Sequence, residues 1–171
     1  TARIVFRILD EEGWREWSAA WRGVFPQAFT EAGVPVPTPG SAVVPIDPGE
    51  LARESETGRL AWAWLTPRGI GPHAWSGDAK KQIQLRRRFM LLGQTVDGMR
   101  VWDIRRGIRA LAGLYPDRRP RLTLSGRGTM GVNALYAALY EPGIERLDLV
   151  DLPESHAIGP DYLNVLRVLD I

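Results

Sequence analysis

"SGRGTMG", residues 125–131, stands between the apolar run Leu122-Thr123-Leu124 and the helix-forming stretch Val132-Asn133-Ala134-Leu135-Tyr136-Ala137-Ala138-Leu139. A strand, a glycine-rich turn and a helix in that order form the connection on which an α/β unit is built. Two chemistries use such a connection. Gly126, Gly128 and Gly131 spell G-x-G-x-x-G, whose backbone amides and helix N-terminus cradle a pyrophosphate. In that reading Arg127 touches a phosphate, and Asp151, at the end of the next strand, takes the place of the ribose-binding acid. The same letters also fit a nucleophile elbow. Gly126 is then the first small residue, Gly128 stands where the nucleophile belongs, and Met130 and Gly131 fill the positions after it.

Working outward, the rest of the chain supplies more strands and helices in alternation. Residues 2–9 (ARIVFRIL) are β-rich and predict an edge strand, followed by a helix from Asp10-Glu11-Glu12 to about Phe25. In it Trp14, Trp17 and Trp21 share one face, for core or interface. Residues 33–49 are proline-rich and largely irregular, with a short strand expected at Ala42–Ile46 and a polar helix at Glu50–Gly58. Leu60-Ala61-Trp62-Ala63-Trp64-Leu65 is wholly apolar, as strands of parallel sheets covered on both faces are. Helices are predicted over 78–92 and 97–114, the second with Val101, Ile104, Ile108 and Leu111 as its core stripe. Val132, Leu135 and Leu139 mark the buried face of the helix after the glycine turn, Ile144–Leu152 gives another strand, and Tyr162–Ile171 a last short helix or the start of one. The fold class expected is α/β: a mainly parallel sheet with flanking helices in one domain over 1–171, with an N-terminal part over 1–40 and a core over 41–171.

Composition narrows the functions. At 171 residues and 44% hydrophobic content the chain fills one domain with a real core, and 25% charged residues argue against wholesale disorder. The absence of cysteine removes disulfides, thiolate metal sites and cysteine nucleophiles, and says nothing of compartment. Two histidines, His73 and His156, lie too far apart in sequence for metal-ligand spacing, so neither a metal nor another cofactor is expected. A net charge of +2 does not call for nucleic acid. The basic run Lys80–Arg88 lacks interleaved aromatic residues and reads as a solvated helix face or a surface for an acidic neighbour. No run approaches the roughly 18 apolar residues of a membrane span.

Several segments in order resemble one family. Ile46-Asp47-Pro48-Gly49 stands where a third strand leads into an oxyanion loop, and Arg68-Gly69-Ile70-Gly71 is similar to an "RGxG" turn after the fourth strand. The segment from Gly93 through Gly98 and Asp103 to Arg106 is similar to the G-x-x-x-x-G-x-x-x-x-D-x-x-R helix that precedes the elbow strand. Together, over about residues 40–152, they resemble acetylxylan-esterase-like α/β-hydrolases. The resemblance implies a three-layer sandwich and ester hydrolysis by an elbow serine, a histidine, an orienting acid and an oxyanion hole. It places the oxyanion loop at Pro48 and Gly49 and the oxyanion amide at Thr129.

The departures decide what to expect of the chemistry. Gly128 removes the nucleophile, and no acid and histidine pair matches the family's, which come from strands beyond Ile171. Ser125, Thr129 and His156 are the weak surrogates, with Glu154-Ser155-His156 read as a polar loop. The expectation is therefore a catalytically silent hydrolase-like domain. It is expected to be a piece of something longer, with other domains, or a second copy reached through an open sheet edge beside Ile144–Leu152, as its expected partners. The dinucleotide reading on Gly126, Gly128, Gly131 and Asp151 stays beside it.

Overall fold

The computed structural model describes residues 3–31, 33–34, 49, 51–53, 60–75, 78–117 and 119–163. Its elements are β1 (Arg3–Ile8), α1 (Glu11–Arg22), α2 (Pro26–Glu31), β2 (Leu60–Leu65), a 3-10 turn (Gly71–His73), α3 (Ala79–Leu91), α4 (Val96–Gly113), β3 (Arg121–Arg127), α5 (Gly128–Ala138) and β4 (Ile144–Val150). The four strands form one sheet in the order β2-β1-β3-β4, and every pairing is parallel. The α/β class and the parallel sheet are as the sequence implied.

One face of the sheet is the core. Ile4, Phe6 and Ile8 of β1 and Leu122 and Leu124 of β3 bury against Ile104 and Ile108 of α4 and Met130, Ala134 and Ala137 of α5. Side chains alternate along a strand, so Val5, Arg7, Thr123 and Ser125 occupy the opposite face. There the tryptophans gather: Trp17 and Trp21 of α1 pack on Trp64 at 6.1 and 5.4 Å, and Arg7 lies 5.7 Å over Trp62. Asp10 starts α1 by accepting a hydrogen bond from the Gly13 N–H at 2.7 Å.

Three expectations change. β1 is interior, bonded to β2 on one side and β3 on the other; its alternation reports one thinly covered face, not an edge. The helix after Asp10 ends at Arg22, and α2 follows separately. On α5, Leu135 and Leu139 are exposed, at 36% and 70%, while Met130, Gly131, Asn133, Ala134 and Ala137 are buried. The reason is a close approach. A Cβ on Gly126 would lie 3.0 Å from Gly131 Cα, so the small residues must face the sheet and the leucines turn away. Of the expected helix at 50–58, residues 51–53 are helical, and the rest lies outside the described residues, as do the strand at 42–46, Pro48, and all of the last helix beyond Leu163. Tyr162 is not helical and Leu163 is in a turn.

A buried carboxylate joins α4 to the end of α5. Glu141 accepts from Arg105 Nε at 2.8 Å and Arg109 Nε at 3.2 Å. Burial pushes this carboxyl up, but the two arginine hydrogen bonds and charges outweigh it and hold it below its ordinary value of 4.5. A carboxyl depressed in the folded state stabilises above its unfolded pKa and loses that contribution as pH falls through the folded one. Glu141→Gln should therefore cost about 1–3 kcal/mol at neutral pH. The gap to wild type should close as unfolding is measured at successively lower pH below about 4.5.

Candidate functional site

The strand order locates a crevice. The chain leaves β1 toward β2 on one side and leaves β3 toward β4 on the other. At such a switch point the loops diverge beyond the carboxyl ends of the two strands, which is where open α/β sheets bind ligands. The register sets Arg7 beside Ser125 and Ile8 beside Gly126, so the glycine turn ends at this crevice.

The turn has the geometry of a sharp strand-to-helix connection. β3 runs to Arg127, and α5 starts at Gly128, whose φ of 53° lies in the left-handed region. Gly126 and Gly131 are both required by contact: a Cβ on Gly126 would meet Met130 O at 3.0 Å, and one on Gly131 would meet Leu152 Cδ2 at 2.7 Å. Gly128 differs, because the nearest atom to its would-be Cβ is Asp151 O at 3.9 Å. Space for a side chain exists there and no side chain fills it. No side chain caps α5, so its first amides and that of Thr129 open onto the carboxyl end of the sheet.

Beside the turn, on the sheet face away from the core, lies a cavity of about 180 Å³. Arg7, Asp10, Glu16, Ser125, Gly126 and Arg127 are among its lining residues. Arg127 crosses its mouth, donating from Nε and Nη2 to Asp10 at 3.3 and 3.2 Å, with Glu12 at 3.1 Å and Glu16 at 3.7 Å. The hydrogen bond to Asp10 outweighs burial and, with the nearby carboxylate charges, raises the arginine's pKa further above its ordinary value. Arg7 and Arg127 balance Asp10 and Glu16 in its lining, and at about 180 Å³ its volume falls below the roughly 300–1,000 Å³ of small-molecule pockets. That size weighs against a dinucleotide here, although Asp151 does lie beside Gly128 at the end of β4.

The surrogates do not converge. Ser125 lies in the cavity, on the α1 side of the sheet; Thr129 is half-buried on the first turn of α5. His156 packs near Tyr136, with ring centroids 6.3 Å apart, on the outer flank of α5, in a groove that also holds Glu154 and Ser155. His73 is exposed in the 3-10 turn after β2. Of the oxyanion-loop pair, Gly49 is helical, and Pro48 lies outside the described residues. The residues that follow β1 at the crevice are instead Leu9, Asp10 and Gly13.

Two segments named from the sequence do come together. Arg68 of the "RGxG" turn donates from its backbone N–H and its Nε to Asp103 Oδ2, at 3.1 and 2.8 Å, and from Nη2 to Oδ1. A bidentate guanidinium–carboxylate pair is among the stronger ionic contacts, and here it pins the loop after β2 onto α4. Arg100 Nε adds a bond to the Arg68 carbonyl at 3.1 Å.

A further cluster was not legible in sequence. Asn133, fully buried on α5, donates to Asp97 Oδ1 at 3.2 Å and accepts from the Tyr162 hydroxyl. Asp97 Oδ2 also accepts from the Asp161 N–H at 3.0 Å. Burial, then the Asp97 charge, pushes the Tyr162 phenol well above its ordinary value, so it remains a donor. The only hint was an asparagine inside an apolar helix.

Among the described residues no group of three potential ligands for a metal occurs, and no helix is long and apolar enough to cross a membrane. The basic side chains Lys80, Lys81, Arg87 and Arg88 are exposed on α3. No family model, curated protein or solved structure matches the chain.

Proposed function

We propose that this chain is an α/β-hydrolase-like domain of the acetylxylan-esterase type whose elbow no longer carries a nucleophile, and that it acts as a structural or binding part of a larger protein. The observation that carries the reading is the turn itself. Gly126 and Gly131 are fixed by strand–helix contact, while Gly128 sits at positive φ with room for a side chain it lacks. A phosphate-binding turn needs its middle glycine for backbone approach to a ligand; an elbow needs that position only to present a nucleophile. The Arg68–Asp103 pair supports the same reading, since it ties together the two other segments that resemble the family.

Acyl transfer needs an activatable hydroxyl, a base and an oxyanion hole within reach of one carbon. Neither histidine forms a hydrogen bond with a residue of the turn. Hydrolysis of p-nitrophenyl acetate is accordingly expected at the buffer rate. Gly128→Ser should fold with a loss of about 1–2 kcal/mol for its left-handed backbone, and should stay inactive. Wild-type turnover abolished by Ser125→Ala or Thr129→Ala would overturn the silent assignment, as would Gly128→Ser turnover abolished by His156→Ala. Micromolar NAD(H) or NADP(H) binding by tryptophan fluorescence, lost in Gly126→Val variants that remain folded, would replace the hydrolase reading by the dinucleotide one.

A further inference from the structure

β4 closes the sheet on one side, and its outer edge pairs with no described strand. Such an edge is a row of unused backbone donors and acceptors, open to another strand. A bulge at Leu122/Thr123 sets the faces of β4: Leu147 and Leu149 pack toward the core, while Arg146 and Asp148 pair with Thr123 and Ser125 on the other face. Arg146 is exposed and Asp148 half-buried, and they bond each other at 2.7 Å along the strand. Apolar side chains flank the edge: Val150 on β4, Leu139 on α5 and Leu152 just beyond β4 are 55%, 70% and 40% exposed.

We propose that the occupant of this edge is a second copy of the chain, joined by antiparallel pairing of β4 with β4 about a twofold axis through Leu147. An antiparallel pair places residues of equal distance from the axis opposite each other on the same face. Arg146 of one copy then faces Asp148 of the other, and the reciprocal pair forms on the other side of the axis. Arg146 and Asp148 are complementary to themselves across this axis, as an isologous interface requires. Charges placed merely to protect an edge carry no such requirement. The result is one continuous eight-stranded sheet.

Sedimentation equilibrium of the wild-type chain should give twice 19.1 kDa. Arg146→Asp should raise the dissociation constant roughly tenfold or more, because two attractive cross-strand pairs become repulsive. Adding Asp148→Arg exchanges the signs and should restore the dimer. Val150→Lys, at an exposed position that tolerates a lysine in the monomer, should also weaken it by placing a charge in the seam; circular dichroism checks that each variant is folded. A wild-type monomer at all concentrations, a dimer indifferent to Arg146→Asp, or a charge exchange that fails to restore association in a folded double variant would each overturn the proposal.

Discussion

Gly126→Val loses about 3 kcal/mol or more of stability in urea unfolding, and Gly131→Val loses a similar amount. Neither position has a flexible neighbour that can yield on the strand side. A Cβ on Gly126 would lie 3.0 Å from both Met130 O and Gly131 Cα, and 3.1 Å from Gly131 N, all backbone. A Cβ on Gly131 meets Gly126 O at 3.1 Å and Leu152 at 2.7 Å. To admit either side chain, α5 must lift from β3, and Met130, Ala134 and Ala137 then lose their places in the core. Gly128→Ala offers the contrast, with a loss of only about 1–2 kcal/mol from backbone conformation. Equal losses at 126 and 128 would mean that the strand–helix approach is looser than described.

Asn133→Ala is the second large effect, about 3 kcal/mol, from two sources. It leaves the Tyr162 hydroxyl without its partner in a site of low solvent access, about 1–3 kcal/mol for a stranded polar group, and removes one of the two donors to Asp97 Oδ1, the other being Arg100 Nη1. It also opens a void beside Met130, whose sulfur lies 3.7 Å from Asn133 Nδ2. The same variant should release residues 161–163 from α4 and α5, since Asp161 and Tyr162 are held through Asp97 and Asn133. Limited proteolysis should then cut near Leu163 faster than in wild type while leaving α5 intact. Tyr162→Phe should reproduce the faster cutting with a smaller loss of stability, and unchanged cutting in both variants would show that this cluster does not anchor the segment.

Much of the fold was legible because periodicity and turn chemistry act locally. The apolar run Leu60–Leu65, the 3-4-3 stripe of α4 and the strand–glycine–helix connection all appear where their patterns place them. On α5 the sequence points to the wrong face, because a leucine at helical spacing normally seeks the core. Here the approach of Gly131 to Gly126 fixes the helix rotation, and a contact between backbones leaves no hydrophobic signature. The interior place of β1 is hidden for a related reason: alternation tells which face is apolar, not how many neighbours a strand has. At the crevice, the glycines were found but their company was not. Arg127 meets Asp10 across 117 positions of sequence, a pairing that only the sheet order creates.

That order also dictates a history for the chain as it is made. Arg3 pairs with Leu60 on one side and with Arg121 on the other. The first of the described strands is therefore an inner one, and its second partner is synthesised long after its first. Until Arg121–Arg127 appears, β1 lacks its second neighbour, and Ile4, Phe6 and Ile8 have α4 but not yet Met130, Ala134 and Ala137 of α5 to cover them. Non-local pairing of this kind slows folding and prolongs exposure of sticky surface. The apparently redundant tryptophans of α1, which reach Trp64 without waiting for β3, give the nascent β1 and β2 their first cover.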